Sequence, residues 1–308
     1  MRCHVVLGLA LSVSAVAGPA RPALADDGDT ADTDTLPDVH SRSAIVIDAD
    51  TGAELFGKDA DEVRPIASTT KIFVAMVVRA RDLDLDAWTS ITRGDADVAR
   101  GGARTRLAVG ETFKNRDLMR AMLIASDNRA PTALGRAAGL DPDELVAAMN
   151  RLARKLHLRH TRFTDPTGLR GNVSTAREMA LALHAALGDE VLRGIMGDAE
   201  QDVTSKDGSA TIHYDSTNLA LRAGKWDVIG GKTGYTEKAG YCFVTAARLA
   251  GRVVVAAFYG ADGKQTRFAD FDRVATWLDR KATSQNETEP GTGNREPGTS
   301  TVGRHRSE

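Results

Sequence analysis

Cysteine is nearly absent from this chain. Of the two present, Cys3 lies in a leader-like segment, so Cys242 stands alone in the mature protein and no internal disulfide can brace it. Within the apolar run "GYCFV" a lone cysteine reads as a small buried hydrophobe, not as a thiol nucleophile. No stretch after the leader is long and apolar enough to cross a bilayer, so no membrane anchor is expected. No basic cluster stands out, which argues against nucleic acid as a partner. Metal-ligand spacings are equally scarce. His157 and His160 in "HLRH" are the one close histidine pair, and the neighbouring Lys155 and Arg159 mark a solvated surface; neither metal nor cofactor is expected.

What is present is ordinary for a globular protein with a sizeable core: 308 residues, 42% apolar and 27% charged. The ends stand apart. Residues 1–25 carry Arg2, an apolar run from Val5 to Ala17 and the small-x-small site Ala23-Leu24-Ala25, the pattern of a secretory signal peptide. Residues 26–40 hold six Asp and little to bury, and residues 283–308 contain "EPGT" twice; both are expected to be disordered. With the leader and the two tails (−6 and −1) set aside, the core at 41–282 carries about +3. The expectation is an exported protein, periplasmic or secreted, soluble and monomeric.

Along the core, "SAIVIDADTGAELFG" reads as two short strands around an Asp-Thr-Gly turn. "STTKIFVAMVVRA" is apolar almost all round after its first turn, the mark of a helix inside the protein. From 111 to about 200 apolar positions recur at three and four, in "NRDLMRAMLIA", "DELVAAMNRLARKLH" and "TAREMALALHAAL". Strand patterns return in "WDVIGGKTGYT", "GYCFVTAARLA" and "RVVVAAFYG", the last two a hairpin through Ala250-Gly251, and "RFADFDRVATWLDRKA" closes the core as an amphipathic helix. Strands at both ends around a helical middle predict an α+β fold. One antiparallel sheet is built from the two termini, a helical lobe is inserted, and a cleft lies where lobe meets sheet.

Three short motifs carry chemistry. Ser68 and Lys71 sit one turn apart at the head of the buried helix, so they share a face, and the unpaired N–H groups there suit a nucleophile that becomes an ester beside an oxyanion. Lys71 can act as base only when neutral, which requires burial or a second cation nearby. Lys232-Thr233-Gly234, in the predicted strand "IGGKTGYT", offers that cation, with glycines that let a substrate backbone approach. Of the three Ser-x-Asn triplets, at Ser126, Ser216 and Ser284, only Ser126-Asp127-Asn128 ends an apolar helical run on the inserted lobe.

Ser-x-x-Lys, Ser-x-Asn and Lys-Thr-Gly in this order are the motifs of penicillin-recognising serine enzymes. With the flanks "RPIASTTK", "SDNRAPTALG", "RFTDPTGL", "NVSTAREMA" and "GGKTGYTEKAGYCFV", residues 43–280 resemble the low-molecular-weight D-alanyl-D-alanine peptidases of family S11, within it the soluble penicillin-binding D,D-endopeptidases. The resemblance implies a β-lactamase/D,D-peptidase-like fold acting on peptidoglycan peptides, with β-lactams as covalent inhibitors and no metal or cofactor. It implies Ser68 as acylated nucleophile, Lys71 as base, Ser126 as proton relay, and Asn128 as holder of Lys71 and the substrate amide. Lys232 would keep the site positive, and Thr233 beside Gly234 would bind the substrate carboxylate together with Arg267. The N–H groups of Ser68 and Tyr235 would form the oxyanion hole. Two departures stand out: Asp127 matches the β-lactamase form of the second motif, and a polar tail stands where family carboxypeptidases carry a C-terminal β domain and a membrane-associating helix. A class A β-lactamase would need a Glu-x-x-Leu-Asn loop between the second and third motifs, where this chain reads "RFTDPTGLRGN". A non-catalytic wall-binding module has no support, since every named polar group is present.

Overall fold

The structure, a computed structural model, describes residues 35–288 except residue 104. The expected signal peptide and most of the expected acidic linker and polar tail lie outside the described residues. The first strands are β1 (Ser43–Asp48) and β2 (Glu54–Lys58). They turn through Asp48, whose Oδ1 accepts the N–H groups of Asp50 and Thr51, and Gly52 at φ +72°. The short strand β3 (Arg64–Pro65) leads into a 3-10 turn (Ala67–Thr70) and the central helix α1 (Lys71–Arg79).

The helical lobe follows. It runs through β4 (Trp88–Ser90), α2 (Arg93–Val98), β5 (Thr112–Lys114), α3 (Asn115–Leu123) and α4 (Ala130–Ala137). Next come α5 (Pro142–Lys155), β6 (Val173–Ser174), α6 (Ala176–Leu187) and α7 (Glu190–Gly197). Local sequence sets these helix starts: Asp141 and Glu144 form a capping box ahead of α5, with Pro142 in the first turn, and Thr175 caps α6. A hairpin of β7 (Glu200–Thr204) and β8 (Thr211–Asp215) and the short helix α8 (Leu219–Ala223) lead to β9 (Asp227–Thr236), β10 (Gly240–Leu249), β11 (Arg252–Ala261) and α9 (Thr266–Thr288).

The main sheet is antiparallel in the order β2-β1-β11-β10-β9, so the N-terminal pair joins the C-terminal three as expected. Ala250 at φ +50° and Gly251 at φ +75° make the tight turn between β10 and β11. Period-two alternation divides the core. Ile45, Ile47, Val255 and Ala257 face the lobe through α6, on which α1 packs, whereas Ala44, Val46, Val254, Ala256 and Phe258 share a cluster with Phe271, Val274 and Leu278 of α9. Strand β9 is the edge opposite β2, and it borders the lobe at α7.

Two expected boundaries move, and one element was not expected. The closing helix continues to Thr288, past the boundary at 282, because its last turns are polar but uninterrupted by Pro or Gly. The end of the linker is not free: Val39 is buried, and His40 N and Ser41 N donate to the fully buried carboxylate of Asp270 on α9. The β7–β8 hairpin was not foreseen; only Val203, Ile212 and Tyr214 of its two strands are buried, a pattern too sparse to stand out.

Candidate active site

The 3-10 turn delivers Ser68 to the head of α1 by way of Ala67 at φ +48°. That conformation costs a residue with a Cβ about 1 kcal/mol and persists only when the surroundings enforce it. Here Ile66 N donates to Asn172 O, Thr69 Oγ1 to Ile66 O, and Tyr259 OH to Thr69 Oγ1. Lys71, one turn on, is fully buried. Its Nζ lies 2.8 Å from Ser68 Oγ and donates to Asn128 Oδ1 at 2.7 Å and Thr167 O at 2.9 Å. Burial holds its pKa down at about 7, against the opposing pull of Asp127 and Asp165. The depression expected from Lys232 is thus chiefly a burial effect. The like charge is felt on Lys232 instead, which burial first, then Lys71 and Arg267, push well below the usual lysine range.

On the lobe, α3 ends at Leu123 and the chain turns through Ser126 at φ +66°. Ser126 Oγ is buried without a hydrogen-bond partner among the described residues. The carboxylate of Asp127 accepts Arg129 N at 2.9 Å on one oxygen, and Arg106 N at 2.9 Å and Tyr214 OH at 3.3 Å on the other. It braces the turn, and burial followed by this carboxylate pushes the Tyr214 phenol up. Asn128 is closely walled, because a Cβ at Gly102 would overlap its Nδ2.

The facing wall is β9. A Cβ at Gly234 would stand 2.8 Å from Ser68 N, so this strand lies directly against the nucleophile's backbone and only glycine fits. Lys232 Nζ donates to Thr233 O at 2.8 Å. Thr233 Oγ1 donates to Thr217 Oγ1 at 2.7 Å, and Thr217 Oγ1 to Ile124 O at 3.2 Å, which joins the edge strand to the lobe. Arg267, buried at the start of α9, donates through one nitrogen to Gly234 O at 2.8 Å and Cys242 O at 3.0 Å, while its Nε has no hydrogen-bond partner among the described residues. Burial lowers the guanidinium pKa to about 10. The half-exposed ring of Tyr235 stacks on Tyr241 with centroids 4.3 Å apart.

Hydrogen bonds therefore link Ser68, Lys71 and Asn128, three of the sequence-predicted residues. Gly234 abuts Ser68, and Arg267 binds the Gly234 carbonyl. Ser126 and Lys232 make no hydrogen bond to the Ser68–Lys71 pair among the described residues. Two contributors went unnoticed in the sequence. Thr217 lies in the Ser-x-Asn triplet set aside at Ser216, and Thr167 acts through its carbonyl, which no side-chain pattern can flag. Among the described residues the one group able to gather a metal, Glu200, His213 and Asp215, is exposed on the β7–β8 hairpin, and Arg222 already engages Asp215 at 3.1 Å.

An amine whose pKa is brought down to about 7, so that a large share is neutral near physiological pH, within hydrogen-bond reach of a serine hydroxyl, is what Ser–Lys acyl transfer requires. Set between a buried helix and a glycine-rich edge strand, it places the chain among the penicillin-recognising serine hydrolases. The profile of peptidase family S11, D-alanyl-D-alanine carboxypeptidase, matches residues 30–263, and the chain belongs to that family. It is 33% identical to a D-alanyl-D-alanine endopeptidase of Pseudomonas aeruginosa over 89% of this chain and 87% of the relative. A D-alanyl-D-alanine endopeptidase of Escherichia coli K12 is 31% identical over 81% and 80% of the two chains. The crystal structure of the Streptomyces K15 DD-transpeptidase superposes with a TM-score of 0.73 at 28% identity, covering 79% of this chain and 98% of that one.

Proposed function

We propose that this serine D-alanyl-D-alanine peptidase cuts D-Ala-D-Xaa bonds of peptidoglycan, chiefly the cross-links between stem peptides. The observation that carries the substrate class is electrostatic. Lys71, Lys232 and Arg267 are all buried at the site, and none is hydrogen-bonded to a carboxylate among the described residues. Lys71 has the carboxylates of Asp127 and Asp165 nearby, whereas burial lowers the pKa values of Lys232 and Arg267 with no described carboxylate bonded to either, so an entering substrate carboxylate supplies the counter-charge this pair lacks. Thr233 and Arg267 are the groups assigned to receive it.

In the proposed reaction Lys71 takes the Ser68 proton as Oγ bonds to the D-Ala carbonyl carbon. The resulting oxyanion is held by the N–H groups of Ser68 and Tyr235. The C–N bond then breaks, and the proton passes to the leaving amine through Ser126 while Asn128 holds Lys71 and the substrate amide. Water later cleaves the ester. No Glu of the lactamase type stands in "RFTDPTGLRGN", so a penicillin adduct on Ser68 should persist.

Cleavage of cross-links is supported by the two endopeptidase relatives, each aligned over most of both chains. Arg267 serves either bond, since a meso-diaminopimelate cross-link also carries a free carboxylate beside the scissile bond; Arg267→Ala should weaken both activities. Pentapeptide trimming is the second reading, supported by a D-alanyl-D-alanine carboxypeptidase of Mycobacterium tuberculosis at 33% identity over 79% of this chain. The enzyme should be incubated separately with purified pentapeptide monomers and cross-linked dimers. Dimers converted to monomers support the proposal; free D-Ala with intact dimers overturns the endopeptidase assignment. Export to the wall compartment and a monomeric state belong to the same proposal, and no described helix is long and apolar enough to cross a membrane.

A further inference from the structure

Asp165 is a buried carboxylate outside the three motifs, in the loop between α5 and β6. One of its oxygens accepts the N–H groups of Thr167 at 2.7 Å, Gly168 at 3.0 Å and Leu169 at 3.3 Å, and also the Thr167 hydroxyl. The other accepts Arg170 N at 2.8 Å. Asn172 bolts the loop to the head of α1: its Oδ1 accepts Thr164 N at 2.8 Å, and its Nδ2 donates to Asp165 O at 2.8 Å and Thr70 Oγ1 at 3.0 Å. Gly168, at φ +89°, lies so close that a Cβ there would overlap Ala67 O. The loop backbone is thus pressed against the residues that carry the nucleophile. This arrangement sets the Thr167 carbonyl 2.9 Å from Lys71 Nζ.

A neutral lysine amine has two N–H bonds and one lone pair. Thr167 O and Asn128 Oδ1 can only accept, so each takes an N–H, and the remaining tetrahedral direction faces Ser68 Oγ at 2.8 Å. Without the carbonyl, an N–H could turn toward Ser68 and the lone pair away from it. We infer that Asp165 is a positioning residue for acylation: through the loop it organises, it fixes the Thr167 carbonyl on Lys71 and so aims the amine's lone pair at the serine hydroxyl. This inference rests on the reading of Lys71 as the base.

Asp165→Asn keeps the volume but turns an amide N–H₂ toward at least one backbone N–H. Acylation by a fluorescent penicillin should fall about 100-fold, the effect of misaligning a reacting pair by about 1 Å. The pH profile separates positioning from loosening. Asp165 and Asp127 both raise the Lys71 pKa, Lys232 faces the same cluster, and burial opposes the two carboxylates. Removing the Asp165 charge from an intact site moves the acid limb of acylation to lower pH, whereas a loosened loop that admits water moves it up. Gly168→Ala displaces the loop with the carboxylate retained; it should show a similar loss without the downward move, and it decides the matter if Asp165→Asn does not fold. Near-normal acylation by the folded loop variants, or an upward limb in Asp165→Asn, overturns the inference. Lys71→Arg is the control on the underlying reading. If it acylates normally, the base assignment itself has failed; if it is inactive while both loop variants acylate normally, only the positioning role has failed.

Discussion

Between about pH 9 and about pH 5 the acylation of Ser68 by penicillin should follow the loss of one proton-accepting group, Lys71. Only the neutral amine can take the Ser68 proton, so activity is present above the Lys71 pKa and lost as pH falls through it. The midpoint should lie at about 7 and not at the ordinary lysine value of 10.5. That displacement corresponds to a burial penalty on the ammonium of about 5 kcal/mol, net of the opposing attraction of Asp127 and Asp165. Two pH units below the midpoint about 1% of the amine is neutral, so the rate should drop roughly 100-fold across the limb and level off about two units above it. Stopped-flow measurement of the second-order acylation rate constant at sub-saturating fluorescent penicillin gives the curve of the free enzyme directly, with thermal melts at each pH to show that the protein remains folded. A rate that still climbs about tenfold per unit through pH 9 would mean that Lys71 keeps an ordinary pKa. A flat profile down to pH 5 would remove Lys71 from the role of base.

Gly234→Ala places a Cβ 2.8 Å from Ser68 N. It should cut acylation by at least about 100-fold and lower stability by about 1–3 kcal/mol, because the strand must back away from the nucleophile; near-normal acylation would refute the close approach. Thr217→Val removes the acceptor of the Thr233 hydroxyl and its tie to Ile124 O. KM for carboxylate-bearing substrates should rise roughly 3- to 10-fold with smaller change in kcat, the size of one neutral hydrogen bond, as steady-state kinetics would reveal. Asp270→Ala leaves His40 N, Ser41 N and Arg273 without their buried acceptor. Stability should fall by about 3 kcal/mol, or roughly 6–10 °C in Tm, with acylation per folded molecule unchanged; calorimetry and penicillin titration check the two halves.

Much of this was legible in the sequence, because it depends on near neighbours. Alternation in "SAIVID" and "RVVVAAF", the Ala250-Gly251 turn and the all-round apolar helix after Ser68 are consequences of strand and helix periodicity. The Ser68–Lys71 pair needs only one helical turn, and the order of the three motifs is itself sequence information. The glycines flanking Lys232 and Thr233 pointed only to room for a substrate backbone; that Gly234 abuts the backbone of Ser68 itself came from the fold.

Tertiary structure decided what depends on distant parts of the chain. Thr167 reaches Lys71 across 96 positions through a backbone carbonyl, an atom every residue shares, and Thr217 meets Thr233 from a triplet that looked redundant. Burial is collective: the same lysine on a surface helix would keep an ordinary pKa, and it is the lobe, the Asp165 loop and β9 closing around Lys71 that bring it down to about 7. The docking of Val39 and His40 on α9 was hidden for the same reason, since an acidic linker shows no local signal that its last residues meet a buried carboxylate 230 positions away. Sequence named the reacting groups through local periodicity and motif order; the long-range fold set their protonation and direction, because both depend on what surrounds a side chain rather than on what precedes it.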